Sequence, residues 1–163
     1  MKLNKVEPRY ISKSNPRIGL ITLGSDFRIE KDFNNIIYGR DIDLYVNRIH
    51  CYNPLTNETL AKMADDITDI TKEILPNEKL ECVAYGCTSG SLVIGEEKVQ
   101  QLLQQGNSEQ ITSNPFSAIK AALAFIKAKN IVVLSPYLAS VNEPFYNALD
   151  SVGYNIMAWG SLD

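Results

Sequence analysis

From Arg17 onward, short β-rich apolar runs alternate with stretches whose apolar residues recur every three to four positions. Arg17 to Leu23 reads as a first strand. After Gly24-Ser25 comes a helical piece carrying Ile29, Phe33 and Ile36-Ile37. Ile42 to His50 is a second strand, with Ile42, Leu44, Val46 and Arg48 on one face and Tyr45, Asn47 and Ile49 on the other. Thr56 to Leu75 carries the clearest helical stripe, with Leu60, Met63, Ile67, Ile70 and Ile74 on one side and acids opposite. Thr56 is its expected N-cap and Pro76 its stop. A strand over Leu80–Tyr85 follows, then a helix over Glu96–Gln105 closed by Gly106, and a brief strand over Gln110–Ser113. Pro115 suits a first helical position and opens the helix Phe116–Ala128. Ile131–Leu134 reads as a buried strand, Glu143–Val152 as a helix ending at Gly153, and Tyr154–Trp159 as a last strand.

Strand–helix alternation with crossovers of this length predicts an α/β fold, a parallel doubly wound sheet of the Rossmann or flavodoxin-like kind. The expected organisation is a polar tail over 1–16, a first α/β lobe over 17–113, and the incomplete beginning of a second, similar lobe over 114–163. An internal repeat supports the second lobe. Arg17–Leu23 parallels Asn130–Pro136 at an offset of about 113 residues. A counterpart of Cys87 would then fall near position ~200, beyond Asp163.

Composition narrows the function classes. Hydrophobic content of 45% and charged content of 21% are those of a globular protein. A net charge of −3 without a basic block disfavours nucleic acid as a partner. No apolar stretch approaches the roughly 20 residues needed to cross a bilayer, so no membrane partner is expected. Cys51, Cys82 and Cys87 show no CxxC pairing and cannot all pair within one chain, which suits a reduced cytoplasmic setting. Nothing has the spacing of zinc ligands, and no metal is expected. His50 is the only histidine, which disfavours a cysteine hydrolase; His50-Cys51 reads as strand-end packing. There is no GxGxxG and no phosphate loop with its lysine, so a nucleotide is not indicated.

The chemistry concentrates in Tyr85-Gly86-Cys87-Thr88-Ser89-Gly90-Ser91, where a thiol ends an apolar strand as a small, hydroxyl-rich turn begins. In parallel sheets, ligands sit beyond the carboxyl ends of strands. Free amides in such a turn, particularly where a helix opens, favour anions and favour thiolate over thiol. The competing reading is a small buried cysteine before an ordinary loop.

Further stretches join this turn in a recognisable set: Arg17-Ile18-Gly19-Leu20, Asp26 to Phe33, Asn47-Arg48-Ile49, Asn53-Pro54-Leu55-Thr56, Ile74-Leu75-Pro76, Val93-Ile94-Gly95 and Ser135-Pro136-Tyr137-Leu138. With them the chain resembles the aspartate/glutamate racemase superfamily, in the branch of maleate cis-trans isomerase and arylmalonate decarboxylase, closest to the ectoine-utilisation protein A group. The resemblance implies two similar lobes with the substrate between them and no cofactor. It implies chemistry at a carbon next to a carboxylate: a racemase- or isomerase-like reaction, with arylmalonate-type decarboxylation as the variant. Carried over, Cys87 resembles the catalytic thiol of the first lobe. Thr88, Ser89 and Tyr137 resemble the donors that hold the substrate carboxylate.

Two departures shape the expectation. Asp26 stands where the isomerase and decarboxylase carry Asn, as in the ectoine-linked group. A carboxylate there repels a second substrate carboxylate and suits a nitrogen-bearing acid; alternatively, Asp26 caps the following helix. The second-lobe cysteine is also missing. Either the chain is a fragment or a partner, a homo-oligomer included, completes the cleft; without completion, the alternative is a carboxylate-binding protein with no turnover. Cys51 and Cys82 read as core residues, Cys82 on the sheet face opposite Cys87.

Overall fold

A computed structural model describes residues 5–9, 15–108 and 110–162. The expected tail over 1–16 therefore lies partly outside the described residues; its described parts, 5–9 and 15–16, are exposed coil.

The chain forms a parallel α/β structure with two sheets. In the first, β1 (Arg17–Leu23), β2 (Asp43–Ile49), β3 (Cys82–Tyr85) and β4 (Ile111–Ser113) stand in the order β2-β1-β3-β4. Between them run α1 (Ile29–Ile37), α2 (Asn57–Lys62), α3 (Ala64–Lys72), α4 (Thr88–Ile94) and α5 (Glu96–Gly106). The second sheet pairs β5 (Asn130–Ser135) with β6 (Asn155–Ser161), preceded by α6 (Pro115–Phe125) and joined by α7 (Ala139–Ser151).

The sequence pattern explains how these elements settle. Alternation in β1 sends Ile21 to one face, where it packs with Met63 and Ile67 of the α2–α3 stretch, and Leu20 to the other. Both Ile21 and Leu20 are fully buried. Parallel sheets need both faces covered, and β1 satisfies this. On β2 the split is also visible in polar contacts. The Asn47 side chain donates to the Ile70 carbonyl of α3 at 3.2 Å, whereas Arg48 turns to the other face and pairs with Glu30 of α1.

Several expectations change in detail. The single helix over Thr56–Leu75 is two, divided at Met63, where the Met63 amide bonds back to Leu60 at 3.2 Å and the Asp66 amide to Met63 at 3.3 Å. These are three-residue steps, so the ladder tightens there without losing direction. Thr56 is the N-cap with a full capping box to Thr59. The helix stops at Lys72, earlier than expected, and Leu75 before Pro76 takes a left-handed φ of 48°. α6 closes at Phe125 because Lys127 also turns left-handed, at φ 55°. An additional helix, α4, opens at Cys87 and is separated from α5 by Gly95, at φ 91°.

The strand β5 departs most. Its apolar sequence suggested burial, yet Leu134 is 84% and Val132 65% exposed. Only the face carrying Ile131 and Val133 is packed, against Phe116, Phe145 and Leu149. Among the described residues, no helix is long and apolar enough to cross a membrane.

Candidate active site

Cys87 is the N-cap of α4. Its backbone is extended (φ −129°, ψ 110°), and its Sγ accepts the Gly90 amide hydrogen at 3.3 Å. The Ser89 hydroxyl lies 3.7 Å from the sulfur. Ser91 secures the turn from behind, its hydroxyl donating to the Cys87 carbonyl at 2.6 Å. Gly90 permits this approach. A Cβ at that position would stand 2.6 Å from the Tyr85 hydroxyl, too close to be accommodated without a shift, and 3.0 Å from Sγ, a tight contact.

The sulfur is nonetheless only 3% exposed and belongs to the main apolar cluster. Burial pushes its thiol up, and the Gly90 amide and Ser89 hydroxyl pull it back only in part. The sequence expectation of a depressed thiol is therefore corrected. Helix-turn donors favour the thiolate, but loss of water around the sulfur outweighs them.

In front of this turn lies a cavity of about 490 Å³. Its walls come from the carboxyl ends of four strands: Ser25 after β1, Cys51 to Leu55 after β2, Ser89 after β3, and Pro136 to Leu138 after β5. The structure thus brings Ser89 and Tyr137 to one cavity, with Cys87 directly behind Ser89. Thr88 and Tyr137 also meet at the end of a second groove along β5. Burial pushes the Tyr137 phenol up, and the Thr88 side chain pulls it back.

Asp26 is placed differently. Its Oδ1 accepts the amides of Arg28 at 2.7 Å and Ile29 at 2.8 Å, so it caps α1, the second of the two roles open from sequence. It does not line the cavity, whereas its neighbour Ser25 does.

Three features escaped the sequence reading. Cys51, expected in the core, is half-buried and lines the cavity. The loop bearing Tyr137 is held by Asn142, whose amide donates to the Tyr137 carbonyl at 2.6 Å while its Oδ1 accepts the Ser135 hydroxyl at 2.6 Å. Ser161 adds a second donor to the Tyr137 carbonyl at 2.8 Å. An asparagine inside a helix carries no sequence signal for such a role; only the return of β6 beside β5 reveals it. His50, expected to pack at the strand end, is exposed, its ring edge-on to Tyr52 at 4.5 Å. Cys82 is half-buried on β3, and burial pushes its thiol up as well.

No protein-family model matches the chain. It is similar to the maleate isomerase of Pseudomonas putida, at 25% identity over 113 residues, covering 65% of this chain and 45% of that protein. It is also similar to the maleate isomerase of Nocardia farcinica, at 22% identity over 157 residues, covering 90% of this chain and 62% of the relative. The chain thus spans between about half and two-thirds of the curated relatives it matches. Among solved structures, it shares its fold with a Nocardia farcinica maleate cis-trans isomerase, a cysteine-to-serine variant with a covalently bound succinylcysteine intermediate (TM-score 0.78, 22% identity, 91% of this chain and 64% of that one). The maleate isomerase Iso of Pseudomonas putida gives a TM-score of 0.76 at 17% identity, covering 91% of this chain and 64% of that one. A liganded arylmalonate decarboxylase variant gives 0.74 at 18% identity, covering 90% of this chain and 62% of that one.

Proposed function

We propose that this chain carries the thiol-bearing part of a cofactor-independent isomerase that acts at the carbon next to a carboxylate of a small organic acid. The observation that carries the reading is the placement of Cys87: its sulfur caps α4 at the end of β3 and lies 3.7 Å from the Ser89 hydroxyl, and Ser89 lines the cavity together with Tyr137. The shared fold with maleate isomerases and arylmalonate decarboxylase supports it. So does the covalent cysteine intermediate of the Nocardia farcinica enzyme.

In this reading the Ser89, Thr88 and Tyr137 hydroxyls donate to the substrate carboxylate and hold its neighbouring carbon toward the sulfur. Charge that builds on that carbon passes into the carboxylate, where fixed donors already wait. As a neutral thiol, Cys87 delivers a proton; once ionised, it adds to an activated double bond as a nucleophile. Because burial raises its pKa, activity grows with pH through the Cys87 ionisation. Decarboxylation is the chemical variant, since it too passes through charge at the α-carbon. A nitrogen-bearing substrate and a role in ectoine breakdown rest on the sequence resemblance around Asp26. The capping role of that residue lends them no further support.

The test is proton–deuterium exchange at the α-carbon of small carboxylic acids in deuterated buffer. The expected result is exchange that accelerates toward alkaline pH and is lost in Cys87→Ser. One specific observation favours a second reading, a carboxylate-binding protein without turnover: the 3% exposure of Cys87. Calorimetric binding of the same acids with no exchange at any pH would establish that reading in place of the first.

A further inference from the structure

The repeat at an offset of about 113 residues reaches beyond the strands to the side chains at their carboxyl ends. Thr22 stands opposite Arg48 in the first sheet, and its counterpart Ser135 stands opposite Ser161 in the second. On the connecting helices, Glu30 of α1 corresponds to Glu143 of α7 at the same spacing. In the first sheet these two positions form an ion pair. Arg48 pairs with Glu30 and also donates to the carbonyls of Leu23 at 3.1 Å and Asp26 at 2.7 Å. Its guanidinium thereby ties the end of β2 to the loop after β1 and to α1.

In the second sheet the acid is kept and the base is not. Ser161 carries no charge and donates to the Tyr137 carbonyl at 2.8 Å. Among the described residues, Glu143 has no ion-pair partner. Where the first sheet carries the guanidinium, the second has a pocket of about 310 Å³, lined by Ala139, Asn142, Glu143, Tyr146, Trp159 and Ser161. The Tyr146 and Trp159 rings stand 5.9 Å apart, tilted by 52°, and form its aromatic wall. All six walls lie within α7 and β6, just as the partners of Arg48 all precede it in the chain.

We propose that this pocket binds a small guanidinium-bearing molecule, whose head group takes the place in the second sheet that the Arg48 guanidinium holds in the first. The planar cation donates to the Glu143 carboxylate and lays its face on an aromatic ring of the wall. The ligand class follows from the repeat, since the molecule itself shows which group satisfies an acid at this position. The pocket shares no lining residue with the cavity in front of Cys87. It lies behind the loop that brings Tyr137 to that cavity, because Asn142 and Ser161, two of its walls, also hold the Tyr137 carbonyl. The proposal rests on this geometry and stands apart from the proposed reaction.

Trp159 is the one tryptophan of the chain, so its fluorescence reports on the pocket directly. The test titrates the full chain with N-methylguanidinium chloride at millimolar, non-denaturing concentrations, against potassium chloride at matched ionic strength. The expected result is a saturable change in tryptophan emission with the guanidinium salt alone. Glu143→Gln, at an exposed position that leaves the fold intact, should weaken binding by about fivefold or more. Ser161→Arg, which rebuilds the arrangement of the first sheet by placing a guanidinium beside Glu143, should abolish the titration. Equal responses to the two salts overturn the proposal. So does a saturable response that Glu143→Gln and Ser161→Arg both leave unchanged.

Discussion

At the scale of single residues, the site is a contest between burial and hydrogen bonding, and the winner differs from one side chain to the next. For Cys87 the loss of water outweighs one amide and one hydroxyl, so its thiol is held protonated. The motif around it was legible because small residues after a strand leave few other uses for so many backbone donors. The degree of burial was not legible, since the apolar cluster that holds Cys87 also draws on Met63 and Ile67, roughly twenty residues or more earlier in the sequence. Asp26 shows the same limit. Sequence left it two roles, and the two amide bonds to its Oδ1 select capping. Asp26→Ala should therefore cost about 0.5–2 kcal/mol of stability, the usual worth of a cap, in a denaturant titration. Asp26→Asn should restore most of it, because an amide oxygen accepts the same bonds.

At the scale of elements, periodicity located nearly every strand and helix, and β1 and α1 begin and end where their apolar blocks do. Three points were hidden. The tightening at Met63 leaves the helical stripe unbroken and so has no sequence mark. The helix α4 is too short for a period to show. The exposure of β5 depends on which neighbours the sheet acquires, whereas composition records only that the strand is apolar. The Ser135–Asn142–Ser161 cluster is likewise a product of packing, built where β6 returns beside β5. Asn142→Ala should leave the buried Ser135 hydroxyl without its acceptor and the Tyr137 carbonyl with Ser161 as its one side-chain donor, costing about 1–3 kcal/mol in a denaturant titration. Faster hydrogen exchange confined to residues 135–138 would show that Asn142 positions the Tyr137 loop, and general loosening would not.

At the scale of the whole molecule, a four-stranded and a two-stranded sheet meet at a cavity that collects the carboxyl ends of four strands. The same arrangement sets a pH signature. The Cys82, Cys87, Tyr85 and Tyr137 side chains all have raised pKa values through burial, so the folded state keeps protons that the unfolded chain releases. Stability is then intact below the unfolded cysteine value of about 8.5 and declines as pH rises past it, first through the thiols and later through the phenols. Thermal unfolding should show a falling midpoint above about pH 9, shallower in Cys87→Ser. We propose Cys87 as the reacting thiol of a carboxylate site. Its most direct test is peptide mapping of the chain after incubation with maleate. Addition of the thiol across the double bond, with a proton taken up at the adjacent carbon, adds one maleic acid and leaves a succinyl group on sulfur. The adduct is expected on Cys87, forming saturably with maleate and faster at alkaline pH. An adduct confined to the half-buried Cys51 and Cys82, with Cys87 unmodified throughout, would contradict it.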